Sequence, residues 1–279
     1  MTFYPQPNSY ECGPFALKHA LSMVGVFAHE RFLAALAGST TDGTDERQLA
    51  RAAGRLGYAL PTLRVTDPDA ARRALAREVR EGHPVLTCVD QWQHWIAVAA
   101  REGDRFVILD SAEPSVFRVV EWNELCERWG FRRGTGHGTR RLFDLNPLVP
   151  RTRRYARARL TASRVRYLQN GGSVLARDWS VYARDFLEFG AIARGVEDDP
   201  AVLPVAWLLE RNRRGLLDRV DGRGPSYREA ASRVLDRISF ITDAYDVRVL
   251  PRHRREAVQC AESLMRTVSG IRQVGSSDR

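Results

Sequence analysis

The chain has 279 residues, of which 44% are hydrophobic and 28% charged, so it is long enough for two globular domains and its composition excludes wholesale disorder. No run approaches the roughly 18 to 20 apolar residues that span a bilayer, and the first residues lack the features of a signal peptide, so we expect a soluble cytoplasmic protein. The net charge of +9 lies in the second half, where residues 151–279 contain 25 Arg and 16 acidic residues, whereas residues 1–150 are neutral.

The first half of the chain mixes helical and extended patterns. Helices are predicted at residues 13–24, 30–37 and 45–57. Segments rich in Val, Ile and aromatic residues, separated by Gly, Asp and Pro, predict strands at residues 83–90, 94–102, 105–110 and 116–122. Helices followed by a meandering antiparallel sheet are typical of the α+β class.

In the second half the strand signals stop, after the stretch DLNPLVPRTRRYARA. From residue 155 onward apolar residues recur at helical spacing, and proline and glycine fall at the expected helix ends. We therefore predict two domains, residues 1–148 and residues 149–279, the second an Arg-rich, all-α bundle of about five helices. Its charge predicts an acidic protein partner rather than nucleic acid, because the many Asp and Glu of the bundle can pair with its arginines.

The segment QPNSYECGPFALKHAL places Cys12 directly before a predicted helix. A thiolate in that position is stabilised by the helix dipole and by unpaired backbone N–H groups, which can also bind an oxyanion. The alternative is that Cys12 is a small buried apolar residue, as most isolated cysteines are. We expect Cys88, Cys126 and Cys260 to be such core residues, and the absence of any C-x-x-C pair predicts neither a disulfide framework nor a zinc site.

A nucleophilic cysteine needs a base and a group that orients the base, and His94 and Asp110 can supply both. His94 opens the strand at 94–102, and Asp110 ends the strand at 105–110. A hairpin through residues 102–104 pairs residue 94 with about residue 111, which makes His94 and Asp110 cross-strand neighbours and lets the carboxylate fix the imidazole tautomer. This arrangement favours nucleophilic catalysis by Cys12.

Taken together, these residues resemble the papain-like cysteine peptidases of family thirty-nine, the bacteriocin-processing peptidases that cut after double-glycine leader sequences. The similarity covers roughly residues 3–145. The matching elements, in chain order, are Gln6 six positions before Cys12, the helix CGPFALKHAL, the segment GTDERQLARAAGRLGY, the strand GHPVLTCV, and the His and Asp of the two following strands. Two departures stand out: the family's usual Asp-Pro is DSA here, and these 279 residues contain no membrane-spanning exporter of the kind fused to the best-known members.

The resemblance implies a papain-like peptidase domain in which Cys12 is the nucleophile, His94 the general base and acid, Asp110 the orienting group and Gln6 the oxyanion donor. It implies a peptide or protein substrate and no cofactor. The other histidines form no cluster with acids in the sequence, so no metal site is predicted. Two alternatives stay open: a Cys-dependent acyl or amide transferase of the same fold, and a non-catalytic peptide-binding module, against which the intact set of four residues argues.

Overall fold

The computed structural model describes residues 1–135, 138–152, 156–170, 172–193, 201–220 and 224–274. The chain divides into two compact units. The first comprises Met1–Arg154 and Leu160–Asp178, and the second comprises Tyr155–Arg159 and Trp179–Arg279. Among the described residues, no helix combines the length and the apolar composition that a membrane span requires.

The first unit combines helices with antiparallel strands. Its helices are α1 (Cys12–Met23), α2 (Glu30–Ala37), α3 (Glu46–Arg55), α4 (Pro68–Glu81), α5 (Trp122–Trp129), α6 (Ala162–Asn170) and α7 (Ser173–Arg177). Its strands are β1 (Tyr58–Ala59), β2 (Leu63–Val65), β3 (Val85–Val89), β4 (His94–Glu102), β5 (Arg105–Leu109), β6 (Phe117–Glu121), β7 (Phe131–Thr135), β8 (Gly138–Pro147) and β9 (Val149–Pro150).

The main sheet has the order β2-β8-β3-β4-β5-β6, with β7 paired to β8, and neighbouring strands are antiparallel. On one face Ile96 and Val98 join a buried cluster with residues of α4 and α5. Side chains alternate along a strand, so the intervening Trp95 and Ala97, which are also buried, point to the opposite face. Helix α1 packs against β4, and α4 also contacts this strand.

Helix α1 is buried along its whole length, since all twelve of its residues are buried. This includes Lys18, whose ammonium group donates to Glu30 Oε2 at 2.9 Å and lies 3.9 Å from the centre of the Tyr4 ring. A buried lysine is tolerated when it is paired in this way, because the ion pair and the aromatic face replace the water that burial removes. The fixed position of α1 determines where Cys12 lies.

The second unit is mainly helical. Its helices are α8 (Trp179–Ala193), α9 (Val205–Arg211), α10 (Arg213–Val220), α11 (Pro225–Ala244) and α12 (Arg254–Val274), with a 3-10 turn at Pro251–His253. Helix α11 is packed by the other four. A short antiparallel pair joins β10 (Leu203–Pro204) to β11 (Arg248–Val249).

The structure confirms a mixture of helices and antiparallel sheet, but it corrects the expectation that residues 149–279 are all α. Strand β9 lies at the start of that range, and β10 pairs with β11 within it. The sequence prediction also missed α4, α5, β1, β2, β7 and β8. Helices α6 and α7 group with the first unit, whereas the division into independent domains at residue 148 stays a prediction.

Helices α6 and α7 are held against the rest of the first unit by hydrogen bonds and by buried apolar side chains. The Thr2 amide donates to Arg177 O at 2.6 Å, and the Ala162 amide donates to Glu102 Oε2 at 2.7 Å. Leu168 is almost completely buried. The first unit therefore needs residues beyond 150 to complete its packing.

We predict that a protein ending at residue 178 melts at least about 5 °C above one ending at residue 150, because the shorter protein loses the contacts of α6 and α7. Thermal denaturation followed by circular dichroism measures the difference, with the full chain as reference. Equal melting temperatures would show that the two helices add nothing to the stability of the first unit.

Candidate active site

Cys12 is the first residue of α1 and is 4% exposed. The preceding residue, Glu11, makes no side-chain cap hydrogen bond, and Pro14 has no N–H group, so the first turn leaves the N–H groups of Cys12 and Gly13 without a capping side chain. A Cβ atom at Gly13 would lie 2.9 Å from Thr44 Cβ. Glycine is therefore required there, because it lets the segment before α3 approach the start of α1.

His94 and Asp110 are in contact. His94 Nε2 lies 2.7 Å from Asp110 Oδ1, and the Asp110 side chain is 1% exposed. His94 is the first residue of β4 and pairs with Val89 of β3, while Asp110 immediately follows the last residue of β5. The fold thus brings the predicted base and its predicted orienting group together at one end of the sheet.

The contact does not arise from the strand register that the sequence predicted. The β4–β5 ladder runs only as far as Ala97 opposite Leu109, with a β-bulge between Val98 and Ala100, so no ladder pair joins residue 94 to residue 111. The two side chains meet beyond the last ladder pair. The predicted neighbours are correct, but the register that was used to predict them is wrong.

The environment of these groups stabilises a thiolate beside an imidazolium. Burial raises the pKa of the Cys12 thiol, but hydrogen bonds from the His94 side chain and from the backbone N–H groups of Trp95 and Gly13 outweigh it, so the pKa is lowered. Burial lowers the pKa of His94, but Asp110 and Cys12 raise it to about 9. Burial also disfavours the ionised Asp110, yet the His94 ring, the Ala112 amide and Arg128 lower its pKa to about 2.

These directions have a chemical consequence. At neutral pH the imidazolium of His94 is retained, Asp110 is ionised and the lowered pKa of Cys12 favours its thiolate. Since Asp110 holds Nε2 of the ring, Nδ1 is the nitrogen that remains for the thiol. A thiol of lowered pKa with a protonated imidazole beside it is suited to attack on a carbonyl carbon.

Gln6 lies beside Ser111, the residue that follows Asp110. Its backbone amide donates to Ser111 O at 2.9 Å, and its side-chain oxygen accepts from Ser111 Oγ at 2.6 Å. Its Nε2 donates to Asn8 O at 2.7 Å, which occupies one of the two amide hydrogens. Within the described residues these side-chain bonds go to Asn8 and Ser111 and none goes to Cys12, so the role of Gln6 as oxyanion donor stays a prediction.

The sequence interpretation missed Arg128, which donates from Nη1 to Asp110 Oδ2 at 3.0 Å. The same guanidinium also contacts Asp90, at the end of β3. No local motif marks Arg128, because its partners lie 18 and 38 positions away in the chain. A helix N-terminus or a Gly-rich loop is visible in a sequence, whereas a distant ion pair of this kind is not.

A cavity of about 400 Å³ is lined in part by Thr44 and Trp95, which neighbour the start of α1, although Cys12 and His94 are not among its lining residues. Two of its lining residues lie next to Cys12 or its neighbour, since Thr44 packs against Gly13 and the backbone N–H of Trp95 donates to the Cys12 sulfur. The lining comprises Thr40, Asp42, Gly43, Thr44, Asp45, Glu46, Gln48, Arg64, Cys88, Trp92, Trp95 and Asp144.

The other cysteines differ from Cys12 in their electrostatic surroundings. Burial raises the pKa of Cys88 and of Cys126, and burial together with Asp185 raises the pKa of Cys260 to about 12. Cys88 and Cys126 are buried and Cys260 is half-buried. The raised pKa values favour the protonated form of all three thiols at neutral pH.

One cluster of metal-ligating residue types was not expected from the sequence. Glu78, Glu81 and His83 have ligand atoms within 4.8 Å of one another near the end of α4. The two oxygens of Glu78 are already engaged, one with Arg77 at 2.8 Å and the other with His83 at 3.0 Å. The cluster is thus explained by hydrogen bonding between its own members.

Similarity to known proteins was found in structure and not in sequence. No family model matches the chain, and no curated protein matches it. The chain is similar to the peptidase domain of Streptococcus ComA, a bi-functional ABC transporter involved in a quorum sensing pathway, with 20% identity, 53% of this chain and 98% of that chain covered, and a TM-score of 0.40.

Two further solved structures are similar at the same level. One is a double glycine motif protease from an AMS/PCAT transporter in complex with the leader peptide, with 19% identity, 52% of this chain and 90% of that chain covered, and a TM-score of 0.39. The other is the peptidase domain of Streptococcus mutans ComA, with 16% identity, 52% and 98% covered, and a TM-score of 0.33. Likeness at these values does not by itself establish a shared activity.

We predict that brief treatment with iodoacetamide at pH 7 labels Cys12 at least about tenfold faster than the other three cysteines, because its thiolate alone is stabilised. The rate should rise with pH below the free-thiol value of about 8.5, since the pKa of Cys12 is lowered. A second inflection should appear near pH 9, where His94 loses its proton.

Mass spectrometry of the labelled peptides measures both effects, and His94→Ala is the control that should abolish the second inflection. Equal labelling of all four cysteines would contradict the assignment of Cys12 as the reactive thiol.

Proposed function

We propose that the protein is a cysteine peptidase that cleaves a peptide or protein, with Cys12 as nucleophile, His94 as general acid and base, and Asp110 as the orienting group. The observation that carries the proposal is the 2.7 Å contact between His94 Nε2 and Asp110 Oδ1 beside a thiol at a helix start. The lowered pKa of Cys12 supports it, because the other cysteines have raised values.

In the proposed reaction the Cys12 thiolate attacks the carbonyl carbon of the scissile bond and forms a C–S bond. The resulting oxyanion accepts hydrogen bonds from the backbone N–H of Cys12 and from the second N–H of Gln6. His94 then transfers its proton to the leaving amine, the C–N bond breaks, and a thioester remains on Cys12.

Hydrolysis of the thioester reverses these roles. Neutral His94 takes a proton from water, the hydroxide adds to the thioester carbonyl, and the C–S bond breaks to release a carboxylic acid. The thiolate and the imidazolium are restored in the same step. Asp110 stays ionised throughout and stabilises the positive charge of the ring, as the orienting carboxylate does in other nucleophile–histidine–carboxylate sites.

The cavity beside Cys12 supports a preference against acidic substrate residues. Its lining carries Asp42, Asp45, Glu46 and Asp144, whereas its one cation, Arg64, is already paired with Glu46 at 2.6 Å. An acidic side chain entering this space would meet like charge. The substrate residues bound there are therefore neutral or basic in our proposal.

The second unit is proposed to bind a partner and to take no part in bond breaking. Residues 151–279 carry the net charge of +9, and the part of them that forms the second unit, with residues 155–159 and 179–279, contains 19 Arg and 15 acidic residues, a net charge of +4. Some of its arginines are neutralised within the unit, as Arg213 is by Asp236 at 2.6 Å. The remaining excess suits an acidic protein surface, and binding through it should weaken as salt is added.

We predict that Cys12→Ala and His94→Ala abolish peptide cleavage and that Asp110→Asn lowers kcat by about 10³ to 10⁴-fold, because asparagine holds the ring but favours the wrong tautomer. Gln6→Ala should cost about 10² to 10³-fold, as the loss of one oxyanion donor does. Cleavage is followed by mass spectrometry of the products of a peptide library, which also separates a free carboxylate from the new amide that a transferase would form.

The matched controls are Cys260→Ala and Asp104→Asn, since both residues lie outside the proposed site and Asp104 is an exposed carboxylate. These variants should keep the activity of the unaltered protein. Full cleavage by His94→Ala or Asp110→Asn would remove that residue from the mechanism.

A further inference from the structure

Arg128, near the end of α5, bridges two carboxylates that belong to different parts of the site. Its Nη1 donates to Asp110 Oδ2 at 3.0 Å, and its Nη2 and Nε donate to the two oxygens of Asp90 at 2.8 and 3.2 Å. The Asp90 amide in turn donates to Arg128 O at 2.8 Å. The side chain is 24% exposed, so water competes weakly for these bonds.

On the Asp110 side, each carboxylate oxygen has its own partner. Oδ1 faces His94 and accepts from the Ala112 amide at 3.1 Å, and Oδ2 faces Arg128. A carboxylate held at both oxygens cannot rotate about its last bond without breaking a charged hydrogen bond. Arg128 thereby fixes the orientation in which Oδ1 meets the imidazole.

On the Asp90 side, Arg128 holds a turn with unusual backbone geometry. Asp90, Gln91 and Trp92 all have positive φ, at +55°, +59° and +63°. This left-handed region is unfavourable for residues other than glycine, so three such residues in succession persist only when their surroundings hold them. Trp92, at the end of this run, lines the cavity beside Cys12.

Other contacts hold the same turn in place. The ring of Trp92 stacks on Phe131 with 4.2 Å between centroids and 13° between planes. Gln91 Oε1 accepts from the Arg132 amide at 3.1 Å. Gln91 Nε2 also donates to Gly130 O at 3.4 Å, and Arg64 lies 5.8 Å from the centre of the Trp92 ring. It is the ion pair with Arg128, however, that joins the turn to Asp110.

We propose that Arg128 is a positioning residue that couples the orientation of Asp110 to the β3–β4 turn. One guanidinium then determines both the position of Trp92, which forms a wall of the substrate cavity, and the orientation of the base, His94. The role of the cavity in binding substrate rests on the proposed function. The coupling itself concerns only the folded protein, so it can be tested without a substrate.

The test compares four variants. Arg128→Gln removes the ion pairs with both Asp110 and Asp90, and Asp90→Asn weakens only the contact with the β3–β4 turn. Arg128→Lys keeps the charge but cannot reach both carboxylates at once. The matched control is Arg118→Gln, because Arg118 likewise bridges two carboxylates, Glu113 at 2.9 Å and Glu124 at 2.7 Å.

Two readouts need no substrate. Hydrogen exchange of the amides at residues 90–93 should become at least about fivefold faster in Arg128→Gln and Asp90→Asn and stay unchanged in Arg118→Gln. The inflection near pH 9 in the alkylation of Cys12, which reports the pKa of His94, should move to lower pH in Arg128→Gln, because a rotated Asp110 stabilises the imidazolium less. This inflection should stay near pH 9 in Asp90→Asn, and in Arg128→Lys it should lie between its positions in Arg128→Gln and in the unaltered protein.

Once a peptide that the protein cleaves has been identified, Asp90→Asn should raise KM with little change in kcat, whereas Arg128→Gln should raise KM and lower kcat by at least about tenfold.

The proposal is overturned if Arg128→Gln behaves like Arg118→Gln in both substrate-free readouts, or if Asp90→Asn moves the alkylation inflection as far as Arg128→Gln does. If Arg128→Gln does not fold, Arg128→Lys and Asp90→Asn decide by the same criteria. A protein that shows the predicted exchange and alkylation but cleaves no peptide would refute the proposed function and leave the coupling intact.

Discussion

The buried negative charge of Asp110 is the constraint on which the site depends. A carboxylate that is 1% exposed is unstable in a protein interior unless cations and hydrogen-bond donors compensate it. His94 and Arg128 supply the compensation from two different elements, β4 and α5. The protonation of His94 follows from that charge, and the ionisation of Cys12 follows from His94. The geometry of three separate segments is thus coupled through one buried side chain.

The burial of α1 makes this arrangement possible. A helix that is enclosed on every side is held rigidly, so its first residue lies in a fixed place relative to β4. Because α1 is enclosed, the charged group of Lys18 is buried, which is unfavourable. The ion pair with Glu30 offsets this free-energy cost because each charge replaces the other's hydration. Burial also lowers the pKa of Lys18, while Glu30 raises it, so the pair is stable only while both members are present. Removing either partner would leave an uncompensated charge under the helix that presents Cys12.

The sequence predicted those parts of the structure whose signals are local. Strand β4 was predicted with its correct ends, because aromatic and β-branched residues form a continuous run there, and His94 and Asp110 stand at recognisable strand ends. Helix α4 was missed although Asp67 caps it, Pro68 begins it and Gly82 ends it, so its signals were present and were not used. Strand β8 could not be recognised in the same way, because its first four residues are Gly, Thr and two arginines, and its burial comes from pairing with β2 and β3 and from packing of Phe143 on Trp129. Arg128 is one of 43 basic residues in the chain, and only the folded backbone selects it.

The path of the chain sets an order in which the protein can assemble during synthesis. The chain passes between its units three times, because residues 155–159 group with the second unit while α6 and α7 group with the first. Thr2 therefore emerges from the ribosome long before Arg177, which accepts its hydrogen bond, and Arg159 emerges before Ala244, its own partner. At about 5 to 20 residues per second, these intervals last from several seconds to roughly half a minute. Thr2 and Phe3, whose amides donate to Arg177 and Ala176 in the folded protein, thus meet these partners only after a helix made much later has been synthesised.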